Sequence, residues 1–396
     1  MNVLILDAHP NEDARIDRHI NYLLEQKFNV YRIKINYLSD SSKPGPFSKF
    51  GEKSFRINLL DFHGKIRTLI YLKYCLGKKS VIECLNGLKS LNFSLNNTLI
   101  IHVHNPELLP LAQKLAKKYF CKAKIVYDRH EVYEKLVKNF GISIPILYEK
   151  MSKKIISGVI VVSEYHSDKT KQLFPDSIVA IVPNYPLSTE YDNQLINAKI
   201  KSFSQDSEIT MIYIGGLNNY ADRDVDLLLK IGRTCLSSND RVKFLIGGTF
   251  LDPESKLNIE RMSQKFGNRF QFLGYVPRQT TIQLTQNSHI GFFLVRPRSS
   301  YWVKTSPNKI YEYLMCGTIP IYRADVDHAD KLRNCSLSFK RSDSDDSIIN
   351  AVLDLLNKPE KMKMDMKNAK EISVRFTWES VACRYVDLYR LLLPSS

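Results

Sequence analysis

The sequence predicts an α/β protein of two lobes, each built on a parallel sheet covered by helices. Three observations carry that expectation. Short apolar runs alternate with stretches of helical periodicity along the chain, as parallel strands buried on both faces require. A length of 396 residues exceeds one ordinary domain and suits two, each able to bury its own core. A polar stretch, Ser188 to Ser207, lies near the middle and reads as a connection. The expected organisation is therefore a first lobe over 1–187, a linker over 188–207, a second lobe over 208–375 and a terminal helix over 376–396.

In the first lobe the periodicity predicts strands near Val3 to Leu6, Val30 to Ile35, Thr98 to His102, Ile125 to Asp128, Gly158 to Val162 and Ile178 to Val182. Leu108 to Tyr119 and Glu164 to Leu173 have apolar residues at helical spacing. The second lobe restarts the alternation with strands near Thr210 to Ile214, Lys243 to Ile246, Phe270 to Phe272, Ile290 to Leu294, Ile319 to Tyr322 and Ser336 to Phe339. The last stretch reads as an amphipathic helix capped by Thr377, with Trp378, Val381, Tyr385, Leu388 and Leu392 among its apolar positions. The basic segment 43–90 gives the weakest periodic signal.

Hydrophobic content of 44% and charged content of 25% are those of a globular protein, and no apolar run is long enough to span a bilayer. Met1 to Leu6 lacks a basic flank and a small-residue cleavage site, so it is expected to be the first buried strand and the start of the mature chain. The seven cysteines form no CxxC pair and no zinc spacing, which predicts reduced thiols and a cytoplasmic setting. Net charge is +16, and residues 1–200 carry 29 Lys and Arg against 19 Asp and Glu. Within 43–90 basic residues interleave with Phe47, Phe50, Phe55 and Phe62, which suits an acidic membrane surface as well as an ordinary solvated face. No nucleic-acid-binding motif is present, so nucleic acid is not expected as a partner.

The stretch that carries most chemistry is Ser306 to Ile321. Ser306 is a good N-cap and Pro307 suits the first helical position, so the opening amides would face an anion. Asn308 and Glu312 share a helix face, and the Glu312 carboxylate could accept both hydroxyls of a ribose diol. Gly317 ends the helix before the strand at Ile319. Ligands of open α/β sheets gather at the carboxyl ends of strands. The residues there are Asp7, His9 and Asn11, then His102, His104 and Asn105, then Asp128, Arg129, His130 and Glu131. Tyr213-Ile214-Gly215-Gly216-Leu217 runs from a strand into a glycine turn where backbone can approach a diphosphate.

The run Ser306-Pro307-Asn308-Lys309-Ile310-Tyr311-Glu312-Tyr313 resembles the donor site of family 4 glycosyltransferases, which have the GT-B fold. His102-Val103-His104-Asn105-Pro106, Val126-Tyr127-Asp128-Arg129-His130-Glu131, Val161-Val162-Ser163 and Val182-Pro183-Asn184-Tyr185-Pro186 are similar to first-lobe motifs of that family, in matching order. The resemblance implies two Rossmann-like lobes facing a central cleft, with a C-terminal helix crossing back to the first lobe. It also implies transfer of a sugar from a nucleotide-sugar donor to an acceptor hydroxyl with retention, in polysaccharide or lipid-linked glycan assembly.

By the same resemblance, His104 and Arg223 are the catalytic candidates, His104 facing the reacting carbon and Arg223 countering charge on the departing diphosphate. Gly215, Gly216, Arg223, Ser306, Pro307, Lys309 and Glu312 would bind the donor. His9, Asp128, His130 and Glu131 would bind the acceptor. Two positions depart from the family pattern. Leu217 stands where a second cation usually follows the glycine, leaving Lys304, Lys309, Arg296 and Arg298 as replacements, and Lys304 stands where many members carry a first glutamate. No DxD pair stands after a strand in a setting that would hold a divalent ion with a nucleotide sugar, so no metal and no other cofactor is expected. A nucleotide-sugar epimerase or hydrolase on the same fold, and a non-catalytic nucleotide-sugar-binding protein, are the alternative readings.

Overall fold

The computed structural model describes residues 1–9, 13–36, 44–58, 78–93, 99–130, 144–217, 223–249, 253–297 and 306–393. Two compact units emerge, one formed by Met1–Pro183 with Val381–Ser396 and the other by Asn184–Ser380. Each carries its own sheet and its own apolar core.

In the first lobe, strands β1 (Asn2–Asp7), β2 (Asn29–Asn36), β3 (Gly45–Phe47), β4 (Lys53–Asn58), β5 (Leu99–Val103), β6 (Lys124–Asp128), β7 (Ile156–Val161) and β8 (Ile178–Ile181) lie in the order β3-β4-β2-β1-β5-β6-β7-β8. All pairs are parallel except β3 on β4. Leu6 pairs with Val103, and Val103 with Tyr127, so Asp7, His104 and Asp128 emerge side by side at the carboxyl end of the sheet. The six strands expected here are present. The two additional ones, β3 and β4, fall in the basic segment, where aromatic and charged residues replace the apolar alternation that marks a strand. There Arg56 lies 4.6 Å from the Phe47 ring centre and Lys49 pairs with Asp17 at 2.8 Å. Among the described residues of that segment, Lys49, Lys53 and Arg56 are thus engaged within the lobe.

The helix Cys383–Leu392 belongs to the first lobe. It seats Leu388 and Leu392 over Gly158 of β7, where a Cβ would come 3.0 Å from Leu392 Cδ1. It starts later than the sequence suggests. Thr377 does not cap it; Thr377 O accepts from Ser380 N in a short 3-10 turn, Trp378–Ser380, and the helix forms only after Ala382.

The second lobe has strands β9 (Ile209–Ile214), β10 (Val242–Gly247), β11 (Phe270–Phe272), β12 (Ile290–Leu294), β13 (Ile319–Arg323) and β14 (Leu337–Phe339), all parallel, in the order β11-β10-β9-β12-β13-β14. The segment expected as a linker is part of this lobe. Asp192 caps the helix Asn193–Ser202, which buries Ile196 and Ile200 in the core, and Lys199 Nζ donates to Ser288 O and Cys316 O at 2.7 and 2.8 Å. Its polar composition hides two apolar residues four apart, which suffice to seat one helical face. Gly317 has φ of +57°, and a Cβ there would lie 2.8 Å from Ile200 Cδ1, so glycine is required both for the helix stop and for this packing. Among the described residues no helix is long and apolar enough to cross a membrane.

Candidate functional site

In the second lobe the glycine turns after β9, β10 and β11 are stitched backbone to backbone. Gly215 N donates to Gly247 O at 2.9 Å and Gly248 N donates to Gly274 O at 2.7 Å. Gly248, with φ of +147°, approaches so closely that a Cβ there would lie 1.8 Å from Gly215 O. Side chains are thereby excluded where the strands end, and peptide groups are presented instead.

Lys309 lies beneath the first of these turns. Its Nζ donates to Ile214 O, and a Cβ on Gly215 would meet Lys309 Cε at 2.9 Å. Burial lowers its pKa; the charges of Arg223 and Arg278 act in the same direction and Glu312 opposes them. These four charged groups are therefore close enough to feel one another, which their sequence separation did not reveal. Arg223 forms an isolated bridge with Val295, just past the end of β12, and holds its guanidinium 4.7 Å from the Phe293 ring centre. Of the replacements for the missing cation at Leu217, Lys309 reaches the glycine turn. Arg296 is paired with Asp226 at 2.9 Å. Lys304 and Arg298 lie outside the described residues, and Leu217 is buried.

The helix Asn308–Met315 carries Lys309 and Glu312 one turn apart. Its cap differs from expectation. Pro307 occupies the N-cap position and Ser306, instead of capping, donates its hydroxyl to Tyr311 at 3.3 Å. The opening amides of Asn308 and Lys309 still lack intrahelical acceptors, because every helix start leaves them so. Glu312 is held by Arg278, a residue that the sequence reading passed over. Arg278 donates Nη1 to Glu312 Oε1 at 3.0 Å and Nη2 to Glu190 Oε2 at 2.5 Å. Its position immediately after Gly274-Tyr275-Val276-Pro277, opening the helix Arg278–Gln286, was the available signal.

In the first lobe the strand-end residues converge differently from expectation. Asp128 is wholly buried and its carboxylate is engaged, accepting from Arg15 Nε at 2.9 Å, Arg15 Nη2 at 3.1 Å and the Tyr385 hydroxyl at 3.0 Å. Burial would raise its pKa, yet the Arg15 guanidinium, with the His102 and His130 rings 3.9 and 3.6 Å away, holds it well below the usual carboxylate range. It is thus the anchor of an ion pair, not a group facing solvent. His104 is also wholly buried, with its amide on Leu6 O at 3.1 Å and its ring edge-on to His19, tilted against His102 and 3.6 Å from Asp128. Burial pushes the His104, His102 and His19 pKa values down, so these rings are neutral near pH 7. The groups that reach the surface are His9 and His130, at 21% and 19% side-chain exposure, with ring centres 5.7 Å apart. His9 Nδ1 is 3.1 Å from Asp7, whose other oxygen takes Arg32 at 2.5 Å. Glu131 lies outside the described residues.

Arg15, His19, Tyr385 and Tyr389 complete this network and were not singled out in the sequence. Arg15 and His19 sit four apart on the helix Ala14–Glu25, as Tyr385 and Tyr389 do on the terminal helix, so each pair points along one face. Tyr389 Oη lies 2.9 Å from His19 Nε2 and 2.6 Å from His102 Nδ1.

Residues 196–372 match the family model described as glycosyl transferases group 1. No protein with a curated description matches. Among solved structures the chain is similar to sucrose-phosphate synthase from Thermosynechococcus elongatus, with 15% identity, a TM-score of 0.74 and 100% of both chains covered. It is also similar to an E. coli trehalose-6-phosphate structure bound with UDP-2-fluoro glucose, at 12% identity and a TM-score of 0.68, covering 98% of this chain and 99% of that one. Anabaena HepE in complex with UDP matches at 12% identity and a TM-score of 0.68 over the same shares. The fold is GT-B and the enzyme class is glycosyl transfer.

Proposed function

We propose that the chain moves a sugar from a nucleotide-sugar donor to an acceptor hydroxyl, with retention, in the manner of family 4 enzymes. The observation that carries this reading is the convergence of Lys309, Arg223 and Glu312 on the glycine turns of the second lobe. Two cations beside exposed peptide groups suit a diphosphate, and a carboxylate one helical turn away suits a ribose diol. Charge developing on the departing nucleotide is met by Arg223, Lys309 and the start of the helix Asn308–Met315, which take the part a divalent ion plays elsewhere. In the first lobe His9 and His130 meet the acceptor at the surface, and His104 supports them from behind. The reading includes a cytoplasmic setting and assembly of a polysaccharide or lipid-linked glycan. It also includes peripheral contact of segment 43–90 with an acidic membrane, supported by that segment's charge.

The test is to mix the protein with UDP-, GDP-, ADP-, CDP- and dTDP-sugars and measure free nucleoside diphosphate with and without glycan acceptors. Release that needs an acceptor supports transfer. Release without one supports a hydrolase, and binding without turnover supports a non-catalytic protein. Absence of any nucleotide-sugar binding would overturn the donor assignment.

A further inference from the structure

We propose that the first lobe binds one divalent transition-metal ion through His104 Nδ1, His130 Nδ1 and an oxygen of Asp128. His104, Asp128 and His130 each offer one ligand atom within 4.8 Å of the others. His104 Nδ1 is 3.6 Å from Asp128 Oδ2 and His130 Nδ1 is 3.6 Å from Asp128 Oδ1, both beyond hydrogen-bond length. One ion bonded at about 2.0 to 2.2 Å to each ligand sets neighbouring ligand atoms about 3 to 4 Å apart. The spacing thus suits a shared cation better than direct contact.

His104 supplies the second observation. Its Nδ1 is buried without a hydrogen-bond partner, a costly state for a polar atom. Its other nitrogen, Nε2, lies 3.4 Å from His19 Nδ1, and the chain continues through His19 Nε2 to Tyr389 Oη and His102 Nδ1. With protons ordered outward from His104, each ring donates to the next acceptor and Nδ1 keeps its lone pair. That lone pair then faces a carboxylate oxygen, an arrangement stabilised by a cation between them. The chain does for His104 what outer partners do for metal-bound imidazoles, fixing tautomer and ring orientation. Arg15 and Tyr385 hold the Asp128 carboxylate in the same way.

The donor set selects the ion. Two imidazole nitrogens and one carboxylate already neutralised by Arg15 favour Zn²⁺, Ni²⁺ or Cu²⁺ over Mg²⁺ or Ca²⁺, which demand more oxygen and more negative charge. His130, partly exposed, gives the ion its path from solvent. The inference stands independently of the donor site and goes beyond it.

The experiment titrates Zn²⁺, and separately Mg²⁺, into the chelator-treated full-length chain by calorimetry, with Co²⁺ absorption as a report on coordination. One Zn²⁺ per chain is expected, with affinity reduced at least tenfold by His130→Ala, which alters a surface position, and also by His104→Gln. Mg²⁺ is expected not to bind. A Cys121→Ser, Cys383→Ser background should retain the ion, since both thiols are exposed and could hold it adventitiously. The proposal is overturned by no Zn²⁺ binding up to about tenfold molar excess, by binding that survives His130→Ala unchanged, or by loss in the cysteine background. UDP binding measured on the same preparations keeps failure here separate from failure of the donor reading.

Discussion

Arg278 bridges Glu312 and Glu190, giving one terminal nitrogen to each carboxylate at 3.0 and 2.5 Å. Only Glu312 Oε1 is used by this contact, so Oε2 keeps its acceptor capacity for a ribose hydroxyl. Glu312→Ala removes a charge-assisted contact of about 1.5 to 3 kcal/mol and should weaken nucleotide-sugar affinity roughly ten- to hundredfold while leaving the fold intact. Arg278→Ala only frees the carboxylate to reorient. Because the pair is partly exposed, its loss should cost about 1 kcal/mol, or roughly fivefold in affinity. Calorimetry on both variants checks the order; equal affinities for wild type and Glu312→Ala would refute the ribose role.

Lys309 gives donor binding a pH dependence of defined sign. Its pKa is lowered in the free protein, first by burial and then by Arg223 and Arg278. A bound diphosphate favours the charged ammonium and raises that pKa again. Affinity should therefore fall as pH rises through the lowered value, and binding on the alkaline side should take up a proton. Calorimetry in buffers of different ionisation enthalpy reads that proton directly, and Lys309→Met should abolish the uptake. Uptake unchanged in Lys309→Met would place the titration elsewhere.

The buried imidazoles make the first lobe acid-sensitive. His19, His102 and His104 are held neutral when folded but protonate near pH 6.5 when unfolded. The unfolded chain then binds more protons, so stability falls as pH drops below about 6.5, by up to about 1.4 kcal/mol per pH unit for each histidine. Asp128, with its depressed pKa, keeps its contribution until the pH falls below the usual carboxylate range. Urea unfolding at pH 7.5 and 5.5 should show lower stability at the acid pH. His19→Phe, which cannot charge, should flatten the slope.

The strands were legible because short runs such as Val3 to Leu6 and Ile319 to Tyr322 are apolar without interruption and end at polar or glycine residues. β3 and β4 were not, since Phe47 packs against Arg32 and Arg56 and the segment does not follow period-two apolar alternation. The donor helix was readable from local spacing, which fixes Lys309 and Glu312 one turn apart. Arg278, Glu190, Arg15 and Tyr389 were not readable, because each acts through a partner distant in sequence. The terminal helix shows the limit clearly. Tyr385 and Tyr389 look apolar by periodicity, and only folding sets their hydroxyls against Asp128 and the histidines.

Two neighbouring glycines separate the needs of the fold from those of the ligand. At Gly248 the φ of +147° and a Cβ 1.8 Å from Gly215 O leave no room for a side chain. Gly248→Ala should destabilise the second lobe by about 3 kcal/mol, since strain and backbone displacement act together. At Gly216 a Cβ meets nothing within 4 Å, so Gly216→Ala should leave the unfolding midpoint nearly unchanged. If a diphosphate lies against this turn, the same methyl group intrudes on it, and affinity for UDP or the accepted nucleotide should fall at least tenfold. Thermal melting together with nucleotide titration of both variants gives the answer. A Gly216→Ala protein that melts and binds like the wild type would show that no ligand approaches the peptide there, and would remove the glycine turn from the donor site.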